Sequence, residues 1–160
     1  MIPVNTTPHD TPHERLTSLG LTLPKLGAPA YAYEATTRHA DLLFVSGQIS
    51  RNDDGTILSG TIEPDDAPEV GWTAARLAAL NLLTRIDQAV GLEHVQRILK
   101  LNVWIASSDS FTDQPSVAEG ASQLLVDVLG TAGAHARTAL PVHVLPKGAL
   151  VELDAIVAVK

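Results

Sequence analysis

Cysteine is absent from the 160-residue chain. That excludes a disulfide framework, a thiol nucleophile, and thiolate ligation of zinc or iron–sulfur clusters. Aromatic residues are scarce at 4%, too few for a platform that stacks nucleic-acid bases, so Trp72 and Trp104 read as packing residues. Basic residues are outnumbered, 11 Lys and Arg against 18 Asp and Glu, and the net charge of −7 disfavours a phosphate backbone as partner. No apolar run is long enough to cross a bilayer, and the N-terminal MIPVNTTPHD has neither a basic n-region nor an h-region. A cytoplasmic protein without a membrane or nucleic-acid partner is therefore expected. Glycine is not arranged as G-x-G-x-x-G or as a P-loop, and no serine sits in a G-x-S-x-G elbow. The six histidines give no metal signature. His9 and His13 are separated by Pro12 at a helix start, His39 lies in a turn, and His94, His135 and His143 have no candidate at ligand spacing. No metal and no cofactor are expected.

What the chain does have is enough apolar material for one core. Hydrophobic residues make up 45% and charged residues 18%, so a single domain over 1–160 is expected, with 1–30 as an N-terminal arm and a short helix. Thr11-Pro12-His13-Glu14 reads as a capping box with proline at the first helical position, Leu16 and Leu19 share a face, and Gly20 is the stop. Tyr31 to Thr37 reads as a strand, Arg38-His39-Ala40-Asp41 as a turn, and Leu42 to Ser46 as a buried strand with a bulge or close approach at Gly47. Asp53-Asp54-Gly55 is the clearest turn in a polar stretch.

From Pro68 to Val90 the pattern is helical: Trp72, Ala75, Ala79, Leu82, Leu83, Ile86 and Val90 form one stripe, with Thr84 among the residues off it. Ile98 to Ala106 alternates, with Leu99, Leu101, Val103 and Ile105 on one side and Lys100, Asn102 and Trp104 on the other. A second helix is expected from Pro115 to Leu129, then strands over Arg137–Leu145 and Leu150–Val159. This order favours an α+β fold with both main helices on one face of a mixed sheet. Pro141 cannot donate to a ladder, which places its strand at an edge or a subunit boundary.

Glu152 and Asp154 are two apart and project from one strand face. Arg137 opens the preceding strand, and the short connection allows the two strands to be neighbours. A guanidinium there can hold a carboxylate through two parallel hydrogen bonds, and a nearby carboxylate can orient or deprotonate water. Spacing alone favours a solvated face with a surface ion pair.

Longer motifs add to this. Leu43-Phe44-Val45-Ser46-Gly47-Gln48-Ile49, Ala136-Arg137-Thr138-Ala139, Leu145-Pro146-Lys147 and Val151-Glu152-Leu153-Asp154-Ala155-Ile156 together resemble the Rid family, also called the YjgF family. The resemblance runs from about Tyr31 to the C-terminus. The N-terminal thirty residues and Gly120-Ala121-Ser122 are similar to a longer branch.

The resemblance implies a chorismate-mutase-like α+β fold, a homotrimer with sites at subunit clefts, and a cofactor-free deaminase. Its substrates would be 2-aminoacrylate and related 2-imino acids, hydrolysed to 2-keto acids and ammonia. Arg137 matches the arginine that holds the substrate carboxylate, and Glu152 the glutamate that positions water. Tyr33 matches a pocket-lining tyrosine, and Gly47 the glycine whose backbone approaches the ligand. Two positions depart from the pattern: Ala139 stands where many members carry cysteine, and Glu119 lies near a common asparagine, adding a carboxylate that repels an anionic substrate. The competing expectations are a non-catalytic pocket for a small carboxylate metabolite and, from the family label alone, a ribonuclease.

Overall fold

The computed structural model describes residues 10–160; the start of the N-terminal arm expected over 1–30, His9 included, lies outside them. Helix α1 (Pro12–Ser18) begins as the capping box requires, with Thr11 Oγ1 accepting the Glu14 N–H at 3.2 Å and Glu14 Oε2 accepting the Thr11 N–H at 2.7 Å. Leu16 enters the core, and Leu19 packs beside it.

Strands β1 (Thr36–His39) and β2 (Leu42–Ile49) form an antiparallel hairpin joined by Ala40-Asp41 alone. The strand expected from Tyr31 therefore starts five residues later, and Arg38 and His39 belong to it rather than to the turn. Residues 30–33 bend instead, held by a bond from the Tyr33 N–H to the Tyr31 carbonyl at 2.8 Å. The register of β2 against its other neighbour slips between Val45 and Gln48, which is the bulge that Gly47 foretold.

Helices α2 (Pro68–Val90) and α3 (Gln114–Leu129) end at Gly91 and Gly130, as the periodicity predicts. They touch at close range, because a Cβ on Gly120 would run into the Trp72 backbone carbonyl. Small residues line the contact, and α2 buries Ala74 and Ala78 besides the predicted stripe. Thr84, expected on the polar side, is 3% exposed; its hydroxyl bonds the Leu80 carbonyl at 3.1 Å, and this makes its burial tolerable.

Strand β3 (Val95–Ala106) is longer than its alternating stretch. The register of β3 against β5 shifts twice, between Val95 and Arg97 and between Ile98 and Lys100, and the latter shift turns Leu99 outward, so Ile98 and Leu101 fill the core where Leu99 was expected. Strands β4 (Ala136–Val142) and β5 (Val151–Val159) complete a sheet in the order β1-β2-β5-β3-β4, with only the β3–β4 pair parallel. Strand β4 is an edge, as Pro141 demands, and stops at Val142, short of the Leu145 end expected for it. Strands β4 and β5 are not neighbours: β3 lies between them. Non-local pairing of β5 with both β2 and β3 overrides the short connection.

One sheet face is closed by α2 and α3 over Leu43, Leu101, Val103, Leu153 and Val157. On the other face Phe44 and Leu140 are exposed, and Asn102, Trp104, Asp154 and Ile156 are partly covered.

Candidate functional site

Arg137 stands second in the edge strand, opposite Leu101, which is itself opposite Ala155. Leu101 and Ala155 belong to the core, so Arg137 projects to the helix-covered face. Its guanidinium reaches the first turns of α3. Nη1 donates to Glu119 Oε2 and to Ser122 Oγ, both at 3.0 Å, and Nη2 donates to the Pro115 carbonyl at 3.3 Å. Glu119 and Ser122 are three residues apart and share one helix face.

Ser122 is held in turn by His135, whose Nε2 lies 2.9 Å from Oγ while Nδ1 donates to the Gly133 carbonyl at 2.6 Å. That carbonyl only accepts, so a neutral ring carries its proton on Nδ1 and accepts a hydrogen bond from the Ser122 hydroxyl at Nε2. The hydroxyl oxygen thus accepts from Arg137 and donates to His135. Within the described residues the Arg137 Nε–H and one Nη2–H make no bond, leaving two donors for a ligand.

Glu152 lies elsewhere. It pairs opposite Ile49 of β2 and Trp104 of β3 and projects to the open face. Its carboxylate rests over Gly47, where any Cβ would collide with it, and this close approach explains a glycine in the bulge. Burial pushes the Glu152 carboxyl above its ordinary range, and the charge of Asp154 adds to the effect. Burial likewise raises Asp154, partly offset by a hydrogen bond from Asn102 Nδ2 at 2.9 Å. Beside them Lys100 Nζ donates to Thr138 Oγ1 at 2.6 Å.

Tyr33 lies in the bend before β1 and is 53% exposed. The segment after it is tied to the bulge: the Ser46 N–H bonds the Ala35 carbonyl at 3.0 Å and the Ser46 hydroxyl bonds the Glu34 carbonyl at 2.7 Å.

The four expected residues do not come together: Glu152 and Arg137 lie on opposite sheet faces. Gly47 and Glu152 meet, Arg137 stands apart with Glu119, and Tyr33 lies within electrostatic range of Arg85 on α2. The ion pair expected between Arg137 and the β5 carboxylates is absent among the described residues, and the Arg137–Glu119 pair takes its place. A cleft of about 370 Å³ beyond the C-terminal ends of β3 and β4, lined by Ser107, Phe111, Gln114, Pro141 and His143, includes none of the four.

Ser122 and His135 escaped the sequence reading of the site. The signal for them was local: His135 and Arg137 alternate onto one face at a strand start, and Glu119 and Ser122 share a helix face. As a metal site, the grouping to consider is His13, Asp87 and Glu93, whose ligand atoms lie within 4.8 Å of one another. There His13 Nε2 pairs with Asp87 Oδ1 at 3.0 Å, and the same oxygen accepts the Leu92 N–H at 3.1 Å; these contacts clip α1 to the end of α2.

Known proteins share this arrangement of elements. Residues 13–157 match the family described as "YjgF/chorismate mutase-like, putative endoribonuclease". Protein TCP17 of Trypanosoma cruzi is 43% identical over 144 residues, 89% of this chain and 90% of its own. A crystal structure of a protein of unknown function from Agrobacterium tumefaciens is 36% identical, covers 94% of both chains and superposes with a TM-score of 0.84. TdcF of E. coli, crystallised with bound serine, is 25% identical over 83% of this chain and 91% of its own, with a TM-score of 0.59. The match spans the two strands that carry Gly47 and Glu152 and the edge strand that presents Arg137, and on that ground the chain belongs to the YjgF/chorismate mutase-like family.

Proposed function

We propose that the protein hydrolyses small 2-imino acids of the 2-aminoacrylate type to 2-keto acids and ammonia, acting as a homotrimer in which neighbouring subunits each supply one half-site. The observation that carries this reading is the separation itself. Arg137 offers two free donors at a sheet edge, and Glu152 offers a half-buried carboxylate on the opposite, uncovered face, so one copy presents what another lacks. An edge strand packed against the open face of a second copy brings the two together. The serine in the TdcF crystal structure supports a small amino-acid-like ligand in this fold.

The chemistry asks little of the protein. A protonated imine is already electrophilic at carbon, so fixing its carboxylate on Arg137 and delivering water supply most of the acceleration. Glu152 takes a proton from the attacking water. As the C–O bond forms, the C=N π pair moves to nitrogen; Glu152 then returns its proton to that nitrogen, the C–N bond of the carbinolamine breaks to release ammonia, and the hydroxyl proton passes to Glu152 as the keto carbonyl forms. A carboxylate whose pKa is raised by burial is a stronger base once ionised, which suits this role. Ala139 in place of a thiol removes nothing that this route needs.

Ammonia release from a 2-imino acid generated in situ by an amino-acid oxidase tests the proposal. Arg137→Lys keeps the charge and loses the fork, so its activity falls by the worth of one charged hydrogen bond, about 1.5–3 kcal/mol. Glu152→Gln lowers turnover more than substrate binding. Wild-type rates in both variants, with the fold intact, reject the proposal.

The Arg137–Glu119 pair favours one second reading, a pocket that binds a small carboxylate metabolite without turning it over. It shares the Arg137 dependence and predicts no effect of Glu152 on turnover. Endoribonuclease activity is disfavoured by the net charge of −7; a preparation inactive on RNA at low salt disposes of it.

A further inference from the structure

We infer that Glu119 is a charge selector: the ligand favoured at Arg137 is a carboxylate that also carries a cationic arm, and dicarboxylates are excluded. The inference rests on the reading of Arg137 as a carboxylate anchor and extends it to a substrate class, 2-imino acids derived from basic amino acids.

The ion pair is the starting point. Glu119 Oε2 lies 3.0 Å from Nη1, and Ser122 Oγ takes the other Nη1 hydrogen. A carboxylate arriving at Nε–H and the remaining Nη2–H therefore shares one guanidinium with a carboxylate already in place. The Arg137–Glu119 pair is neutral as a unit, so an incoming anion gains hydrogen bonds without net Coulomb attraction and meets repulsion across the guanidinium. A cationic group on the same ligand reverses that balance.

Exposure sets where such a group goes. The Arg137 side chain is 22% exposed and that of Glu119 55%. The guanidinium is the sheltered partner, and the Glu119 carboxylate stands at the solvent side, where the distal end of a ligand anchored at its carboxylate emerges. The surroundings act in the same direction. Glu152 and Asp154 outnumber the one ammonium beside them, that of Lys100, and the chain as a whole carries −7, so extra negative charge on a ligand is disfavoured on approach as well.

Three carboxylates of equal length separate this from a neutral anchor: 5-aminopentanoate, pentanoate and glutarate, titrated by calorimetry into the full-length protein in its own assembly. The wild type should bind them in that order, with steps on the order of tenfold for each unit of charge near Glu119. Glu119→Gln keeps the shape and removes the charge, and should bring the three within about twofold of one another. Glu119→Ala, checked for an unchanged melting midpoint, should do the same and guards against an effect particular to glutamine. Glutarate binding as tightly as 5-aminopentanoate, or either variant keeping the wild-type order, overturns the selector. Ordered binding without ammonia release from any imine removes the deaminase reading and leaves the selector standing. Failure of all three acids to bind overturns both.

Discussion

At the scale of single residues, two glycines separate what the site needs from what the fold needs. A methyl on Gly47 meets the Glu152 carboxylate, the far end of a flexible side chain, whereas a methyl on Gly120 meets the backbone of Trp72, which cannot turn aside. Gly47→Ala should therefore move Glu152 and cut imine turnover at least about tenfold while stability changes by no more than about 0.5 kcal/mol, the usual range for a surface change. Gly120→Ala should cost about 1–3 kcal/mol in urea unfolding, as overpacking does, by forcing α2 and α3 apart. Equal loss of stability in the two variants contradicts this division. Arg137, Glu152 and Gly47 could be singled out in the sequence because they sit in contiguous motifs, and Tyr33 by its place in the resemblance alone. Glu119 was singled out too, but Ser122 and His135 were not, since Ser122 comes from a helix and His135 from the turn after it, and only folding sets their hydroxyl and imidazole 2.9 Å apart.

Among the elements, what could be read was what is decided locally. Both long helices end where glycine follows the last apolar residue, and α1 begins at its capping box. Thr11→Ala, which removes the box's side-chain acceptor, should cost about 1 kcal/mol, with faster amide exchange in α1 and none in β5; an unchanged denaturation midpoint with unchanged exchange contradicts it. Strand pairing was not decided locally. Nothing in the alternation of residues 98–106 marks the bulge that turns Leu99 out, because a bulge is a mismatch with a partner strand, and β5 is some fifty residues away. The connection between β4 and β5 invites a hairpin, yet β5 inserts between β2 and β3. That one strand position moves Glu152 away from Arg137.

For the whole molecule the open sheet face contributes two carboxyl groups to the pH dependence of stability. Glu152 and Asp154 are both held above their ordinary values, chiefly by burial. The folded chain then binds more protons than the unfolded one between the ordinary carboxyl value, about 4, and the raised one. Their contribution is fully favourable below that window and is lost as pH rises through it. Asp54, held below its ordinary value by Thr56, acts oppositely at the acid end, so the informative quantity is a difference. Glu152→Gln should be more stable than wild type at neutral pH, with the gain vanishing as pH falls below about 4. A gain independent of pH contradicts the assignment. Assembly has the same face at stake, and light scattering should report a particle near three times 16.9 kDa; a monomer at micromolar concentration contradicts a trimer.

Subunit mixing asks most directly whether the two half-sites meet between copies. Arg137→Ala and Glu152→Ala are each expected to release no ammonia from a 2-imino acid generated in situ. Denatured together in equal amounts and refolded, they should form mixed trimers if the proposed assembly holds. If each site joins the Arg137 of one subunit to the Glu152 of its neighbour, random association restores an intact pair at about a quarter of the sites. Activity should return to about that fraction of wild type and follow the mixing ratio. Activity that stays at background in the mixture, with trimers formed and wild type carried through the same refolding fully active, contradicts a site shared between subunits.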